Sequence, residues 1–379
     1  MGKLRLISAA LGACAILAVV GCDGGVGSSR QGSPPAGSGS GLTPSSIDRL
    51  AAMTMRHYVA RPQHPDHGLS WMRVNKSGPS HLFYISDWAT DDVFVYAYPA
   101  GKLEGQLTGF QEPYGQCADA NANIWIANFG GSTIVQYAHG GTSPLATLTT
   151  NGAAIGCAVS PNRDLAVADF STVSGPGNIQ VFVNGSGTAT NYSNSSCYYL
   201  WPPGYDNKGN LYVEAETESG TPQVCELPAN GTSLAPVAFN HTITSPGSTM
   251  WDGKYIAFTD QEEDGTQTTG IYRAIAVRKG GLKYHSATRY DDTCDGTSDY
   301  VDIPQPFIVG PRNTPVNKDE GTVVIGGNIL CANRFNYWSY PDSEGGEPIV
   351  VLKNAPAQPY GAAFSTLNKV KTNGTLERY

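Results

Sequence analysis

The strongest constraint on this chain is that it repeats itself. One unit runs from Pro113 through Tyr114, Gly115 and Cys117 to Asn128, continues with Thr133 to Tyr137 and reaches the pair Gly140-Gly141. A second runs from Ile155 to Asp169 and then from Asn178 to Phe182. A third covers Pro203 to Glu214 and Gln223 to Leu227, and a fourth Pro246 to Asp260 and Gly270 to Arg273. Their leading glycines, Gly115, Gly156, Gly204 and Gly247, lie 41, 48 and 43 residues apart.

Each unit has one plan: a strand, a polar turn, a second strand, a third, and a fourth after a glycine-rich turn. Asp119 to Asn123 and Asp206 to Asn210 read as hairpin turns, because Asn and Gly tolerate positive φ. Four short strands every 40–50 residues or so is the period of a β-propeller blade. Composition agrees. The 45 glycines and 25 prolines make up about 18% of the chain against a usual ~12%, while charged residues are only 15%. That excludes coiled coils and helical solenoids.

Two further units diverge. The earlier has Leu82 to Asp87 as its second strand and Val93 to Tyr98 as its third, with Asn75 to Pro79 where a first strand belongs. The later has Val323 to Asn328, Asn336 to Tyr340 and Ile349 to Leu352. After it, Pro359 to Phe364 copies the Pro-Tyr-Gly start of a blade and stops. An orphan first strand and a blade lacking one fit together, and their pairing closes a ring with no free edge at the seam. The expectation is an all-β, six-bladed propeller of four-stranded antiparallel blades over 79–366, closed by the C-terminal strand, with a tail at 367–379. The Pro-x-Gly starts and the strands ending in Asp or Asn resemble NHL-type six-bladed β-propellers, in particular extracytoplasmic bacterial lipoproteins.

The N-terminus reads as an export signal. Lys3 and Arg5 precede an apolar run from Leu6 to Val20, too short to span a bilayer comfortably. Val19-Val20-Gly21-Cys22 resembles the lipobox of bacterial lipoproteins, which implies a signal peptide at 1–21 and lipidation of Cys22. The expected location is therefore a lipid anchor in the cell membrane, on its periplasmic or extracellular face. Residues 22–46, nearly all Gly, Ser, Pro and Ala, form a flexible tether with an r.m.s. reach of roughly 25–30 Å. A segment at 47–78 follows, with a short helix expected from Ser46 to about Arg56. Losing Lys3 and Arg5 moves the formal net charge from −8 to about −10, which disfavours a nucleic-acid partner.

Beyond Cys14 and Cys22, six cysteines remain: Cys117, Cys157, Cys197, Cys225, Cys294 and Cys331. An even count in an exported chain favours disulfides, and six cysteines allow 15 connectivities. Repeat geometry suggests Cys117 with Cys157 on neighbouring inner strands, Cys197 with Cys225 inside one blade, and Cys294 with Cys331. None of these cysteines has structural-zinc spacing.

Two classes of function follow from such a ring. The first is a binding or scaffold module for a protein, peptide or glycan, acting as a monomer without a cofactor. Its candidate ligand-binding residues are Tyr114, Trp201, Trp251 and Tyr360, which fall in or beside first strands of different blades, where a propeller's ligand meets the axis. The second is a metal-dependent hydrolase or lyase at the axis. Sugar-lactonase propellers hold a divalent ion with a Glu and Asn/Asp ligands; Glu112 resembles the first of these, but Tyr114, Ile155, Pro203 and Pro246 supply none of the others. Streptogramin-lyase-like propellers need a His and a Glu together, for which His241 and Glu112 are the candidates. The aligned strand ends Asp87, Asn128, Asp169, Asp260 and Asn328 read first as side chains tying down the turn that follows each of them; as a ring of oxygen ligands they would suit Ca²⁺. His57, His64, Asp66 and His67 read as a solvated loop ahead of the first blade.

Overall fold

The structure, a computed structural model, describes residues 68–73, 81–172, 175–260, 269–277, 280–290, 323–327, 334–341, 350–353, 356 and 359–367. The signal, Cys22, the tether, the expected helix at 46–56, the His57–His67 cluster, Asn328, Cys294 and Cys331 lie outside the described residues. Among those described no helix is long and apolar enough to cross a membrane.

The first blade contains β1 (Trp71–Met72), β2 (His81–Asp87), β3 (Asp92–Ala97) and β4 (Lys102–Leu107). The second comprises β5 (Pro113–Ala118), β6 (Ile124–Asn128), β7 (Thr133–Tyr137) and β8 (Pro144–Thr149). The third comprises β9 (Gly152–Val159), β10 (Leu165–Thr172), β11 (Gly175–Phe182) and β12 (Thr190–Ser193). The fourth has a split inner strand, β13 (Tyr199–Leu200) and β14 (Gly204–Tyr205), followed by β15 (Leu211–Glu216), β16 (Pro222–Leu227) and β17 (Ala235–Val237). The fifth is β18 (Pro246–Trp251), β19 (Ile256–Asp260), β20 (Thr269–Ala276) and β21 (Leu282–Tyr290). A further sheet holds β22 (Val323–Gly327), β23 (Arg334–Ser339) and β24 (Val350–Lys353), and the last strand is β25 (Pro359–Thr366).

This is an all-β propeller of antiparallel blades. Five blades have at least four strands; the β22–β23–β24 sheet has three among the described residues, so the expected six complete blades are here five. The closing strand is where the repeat placed it. β25 pairs with β2 from His81↔Thr366 to Ser86↔Gly361, giving the first blade the order β1-β4-β3-β2-β25.

Side chains alternate across a strand, and here both faces of a blade are covered. From β2, Leu82 and Tyr84 join Ile124, Ile126 and Tyr137 of the second blade. The intervening Phe83 and Ile85 pack with Phe335 and Tyr337 of β23. That sheet's other aromatics, Trp338 with Tyr340 just beyond it, pack on Ala257, Ile271 and Tyr290 of the fifth blade. The core is thus a circle of inter-blade layers, and the strands are apolar on both faces for that reason.

The split in the fourth inner strand has a cause in sequence. Pro202 and Pro203 cannot donate ladder hydrogen bonds, so pairing with β15, which reaches Trp201 N–H on the Glu214 carbonyl, lapses until Gly204. Inner strands also approach one another closely. A Cβ on Gly204 would lie 2.6 Å from the Thr249 carbonyl oxygen, and one on Gly361 would collide with the carbonyl oxygen of Tyr114. Two of the leading glycines thus stand where neighbouring inner strands leave no room for a side chain.

Candidate functional site

The loops linking first to second strands share one device, a side-chain acceptor folding the turn. Asp119 Oδ1 accepts from the backbone N–H groups of Asn121 and Asn123 at 2.8 and 2.9 Å. Asp206 Oδ1 does the same for Lys208 and Asn210, and Asp252 Oδ1 for Lys254 and Tyr255. Ser160 Oγ plays this part in the third blade, for Asn162 and Asp164. Two of these turns, at Ser160 and Asp206, reach one end of the axis.

At that end lies a cavity of about 550 Å³. Five inner strands contribute to it: β5 through Gln116 to Ala118, β9 through Cys157 to Val159, β14 through Gly204 and Tyr205, β18 through Ser248 to Trp251 and β25 through Ala362 to Phe364. Pro203 and the turn residues Ser160, Pro161, Asp206 and Asn207 complete the described lining. Its one carboxylate is Asp206, 5% exposed, with Oδ1 taken by two N–H groups and Oδ2 by Asn210 Nδ2 at 2.8 Å. Tyr205 and Trp251 are half-buried. The Cys117–Cys157 disulfide staples β5 to β9 in the cavity wall. The second disulfide, Cys197–Cys225, is buried inside the fourth blade. Both pairings match the repeat-based expectation.

Of the four aromatics expected at a channel mouth, only Trp251 lines this cavity. Tyr114, Trp201 and Tyr360 are 1%, 4% and 4% exposed and belong to one core cluster. Tyr114 packs on Tyr360 at 5.2 Å between ring centroids, and Trp88 meets both edge-on. Trp201 sits edge-on to Phe170 at 5.8 Å. The ring therefore gathers three of the four, but between blades and without an open face. An inner strand sends alternate side chains into the layers on either side, so its edge, not its large side chains, meets the axis. Tyr205, which the sequence reading passed over, does reach the cavity. Its signal was available: it follows the leading Gly204 as Gln116, Cys157, Ser248 and Ala362 follow theirs, and all five line the cavity.

The enzyme candidates do not converge. Glu112 stands at the entry to β5 at φ +53°, its N–H donating to Asp91 Oδ1 and its carbonyl accepting from Phe129 N–H. His241 lies at the outer side of the fifth blade, stacked on Tyr284 at 4.4 Å and edge-on to Tyr272 at 4.2 Å. Among the described residues no group of three or more His, Cys, Asp or Glu is arranged to hold a metal ion.

The strand-end residues anchor backbone. Asp260 accepts from the N–H groups of Thr244 and Ser245, just ahead of its own inner strand, at 2.7 and 2.9 Å. Asn128 likewise accepts from Gln111 N–H, and Asp87 from Ala89 N–H. Asp169 accepts from Gln180 Nε2 at 2.7 Å and is fully buried. Burial pushes its carboxyl up to about 8, against hydrogen bonds from Thr150, Asn151, Asn178 and Gly152 that pull it down. Glu214, also fully buried, crosses a blade boundary to accept from Gly247 N–H at 3.2 Å. Its carboxyl is held well above the usual range, first by burial and then by the charge of Asp260.

No family model matches this chain, and no curated protein matches it. Solved structures do. The chain is similar to a structure of the nidogen/laminin complex at 14% identity and TM-score 0.53, over 75% of this chain and 98% of that one. A protein of unknown function from Bacteroides caccae shares 12% identity at TM-score 0.51, over 75% and 98% of the two chains. A functionally unknown protein from Desulfotomaculum acetoxidans shares 10% identity at TM-score 0.51, over 75% and 99%. These likenesses establish a β-propeller.

Proposed function

We propose that this chain is a membrane-tethered, extracytoplasmic binding module. In this reading it is a six-bladed, NHL-type ring, anchored by lipid at Cys22 and presenting the cavity end of its axis to a ligand. One observation carries the reading. The cavity lining offers hydrogen-bonding groups and two half-buried aromatic residues, Tyr205 and Trp251, while its only described carboxylate is committed to folding a turn. Such a lining suits recognition more than acid–base chemistry. The anchor rests on the lipobox-like Val19-Val20-Gly21-Cys22 and the Gly/Ser/Pro run that follows.

Two measurements test it. The full chain and an Asn207→Trp variant, whose new indole would narrow the cavity mouth at an exposed position, are applied to arrays of glycans and peptides. Binding that disappears in the variant at unchanged melting temperature supports the site; binding that persists, or no binding in either protein, overturns it. Separately, Cys22→Ala should move the protein out of the membrane fraction, and a wild-type protein found mainly in the soluble extracytoplasmic fraction would reject the anchor.

A further inference from the structure

Resting on that reading, we infer that the axial cavity takes an uncharged carbohydrate of one or two sugar rings. Charge is the first filter. The described lining holds no Lys, Arg, His or Glu, and Asp206 has three N–H donors on its two oxygens. A buried charge needs a partner, and among the described lining residues neither an anion nor a cation finds a free one. A chain of formal charge −8 further disfavours anions.

Polarity is the second filter. Each inner strand at the cavity pairs within its own blade on one side only: β5 with β6, β9 with β10, β14 with β15, β18 with β19 and β25 with β2. Their other edges carry backbone N–H and C=O groups on the axial side, of which Thr249 N–H is already given to the Pro202 carbonyl at 3.0 Å. A wholly apolar guest would strand those groups away from water, whereas a polyhydroxylated one both donates and accepts. The third filter is shape. At about 550 Å³ the cavity falls within the ~300–1,000 Å³ of small-ligand sites. Trp251 and Tyr205 line the cavity and are only half-buried, and an aromatic side chain is a stacking partner for the C–H face of a sugar ring. Hydroxyl-rich edges, an apolar face and zero charge together describe a neutral saccharide.

The test uses the full chain and free sugars. Glucose, galactose, N-acetylglucosamine, maltose and cellobiose are titrated by calorimetry and saturation-transfer NMR, beside glucosamine and glucuronate as charged counterparts. At least one neutral sugar should saturate, with the charged counterparts at least tenfold weaker. Trp251→Ala should weaken that sugar about tenfold; if it also lowers the melting temperature, Trp251→Phe and Asn207→Ala serve as milder probes, each expected to raise Kd with the fold intact. Failure of every neutral sugar to saturate, equal binding of a charged counterpart, or unchanged affinity in all these variants would overturn the inference. Array binding that is lost in Asn207→Trp while no free sugar saturates would sink the saccharide and leave the binding module standing. Silence in both experiments would sink both.

Discussion

Cys117 of β5 is covalently joined to Cys157 of β9, so a bond spans the second and third blades at the wall of the axial cavity. Cys197–Cys225 instead closes a loop within the fourth blade. The two have sequence separations of 40 and 28 residues. On a loop-entropy account each contributes about 3–4 kcal/mol. Replacing either pair with serines should lower the melting temperature by several degrees. Only the Cys117/Cys157 variant should also change ligand affinity, because only that staple sets the spacing of two cavity strands. Calorimetric melting and the sugar titration on the same proteins check both halves.

Trp201 is expected to behave as core. With 4% exposure and an edge-on contact to Phe170, its truncation to Ala should cost about 3–5 kcal/mol. Denaturant unfolding would show that loss, and a variant as stable as wild type would contradict the packing described. Tyr114→Ala should be similarly costly, since its ring lies between Tyr360 and Phe129.

Stability should fall as pH rises from about 4 to about 8. An unfolded aspartate gives up its proton near the ordinary 3.8, whereas buried Asp169 keeps its proton up to about 8. Between those values the folded state binds the extra proton, so each pH unit costs up to about 1.4 kcal/mol. Glu214, shifted the same way, adds to the trend. Asp169→Asn should flatten it. Melting temperatures at pH 5, 6, 7 and 8 decide, and an identical slope in both proteins would count against a protonated Asp169.

Ending the chain after Gln358 should open the first blade. β2 would lose its partner along Leu82 to Ser86, together with the buried Tyr360 and Phe364. Loss of a cooperative thermal transition is expected, and a truncated chain that melts like the parent would refute the closure as a source of stability.

Strand order, ring closure and two disulfides were readable in advance because each follows from the period: Pro359-Tyr-Gly copies Pro113-Tyr-Gly, and Cys117 and Cys157 occupy nearly equivalent blade positions. The site was harder to read. In a half-exposed strand, polar and apolar residues alternate and mark the wet face; in β2 both Tyr84 and Phe83 are buried, against different neighbours. Hydropathy alternation in such a strand does not mark which residues meet the axis. Large aromatics drew attention at Tyr114 and Trp201, yet large side chains are what an inter-blade layer consumes. The residue after each leading glycine, small or polar in four blades and Tyr205 in the fourth, carried the better signal. The role of Asp169 and Asp260 was half legible: anchoring of the following turn was expected, but the backbone they hold lies at the entry to their own inner strands.

The seam has a consequence for biogenesis. β2 is made early and β25 late, so the first blade stays incomplete while nearly the whole propeller is synthesised. Premature closure is impossible, and a partly emerged chain holds an open strand edge that another copy could occupy. In the extracytoplasmic reading proposed above, staying threadable until the last strand has crossed an export channel would be a gain. The same delay makes the nascent chain a natural client for holding factors on the far side, where strand exchange between unfinished copies is the hazard to be managed.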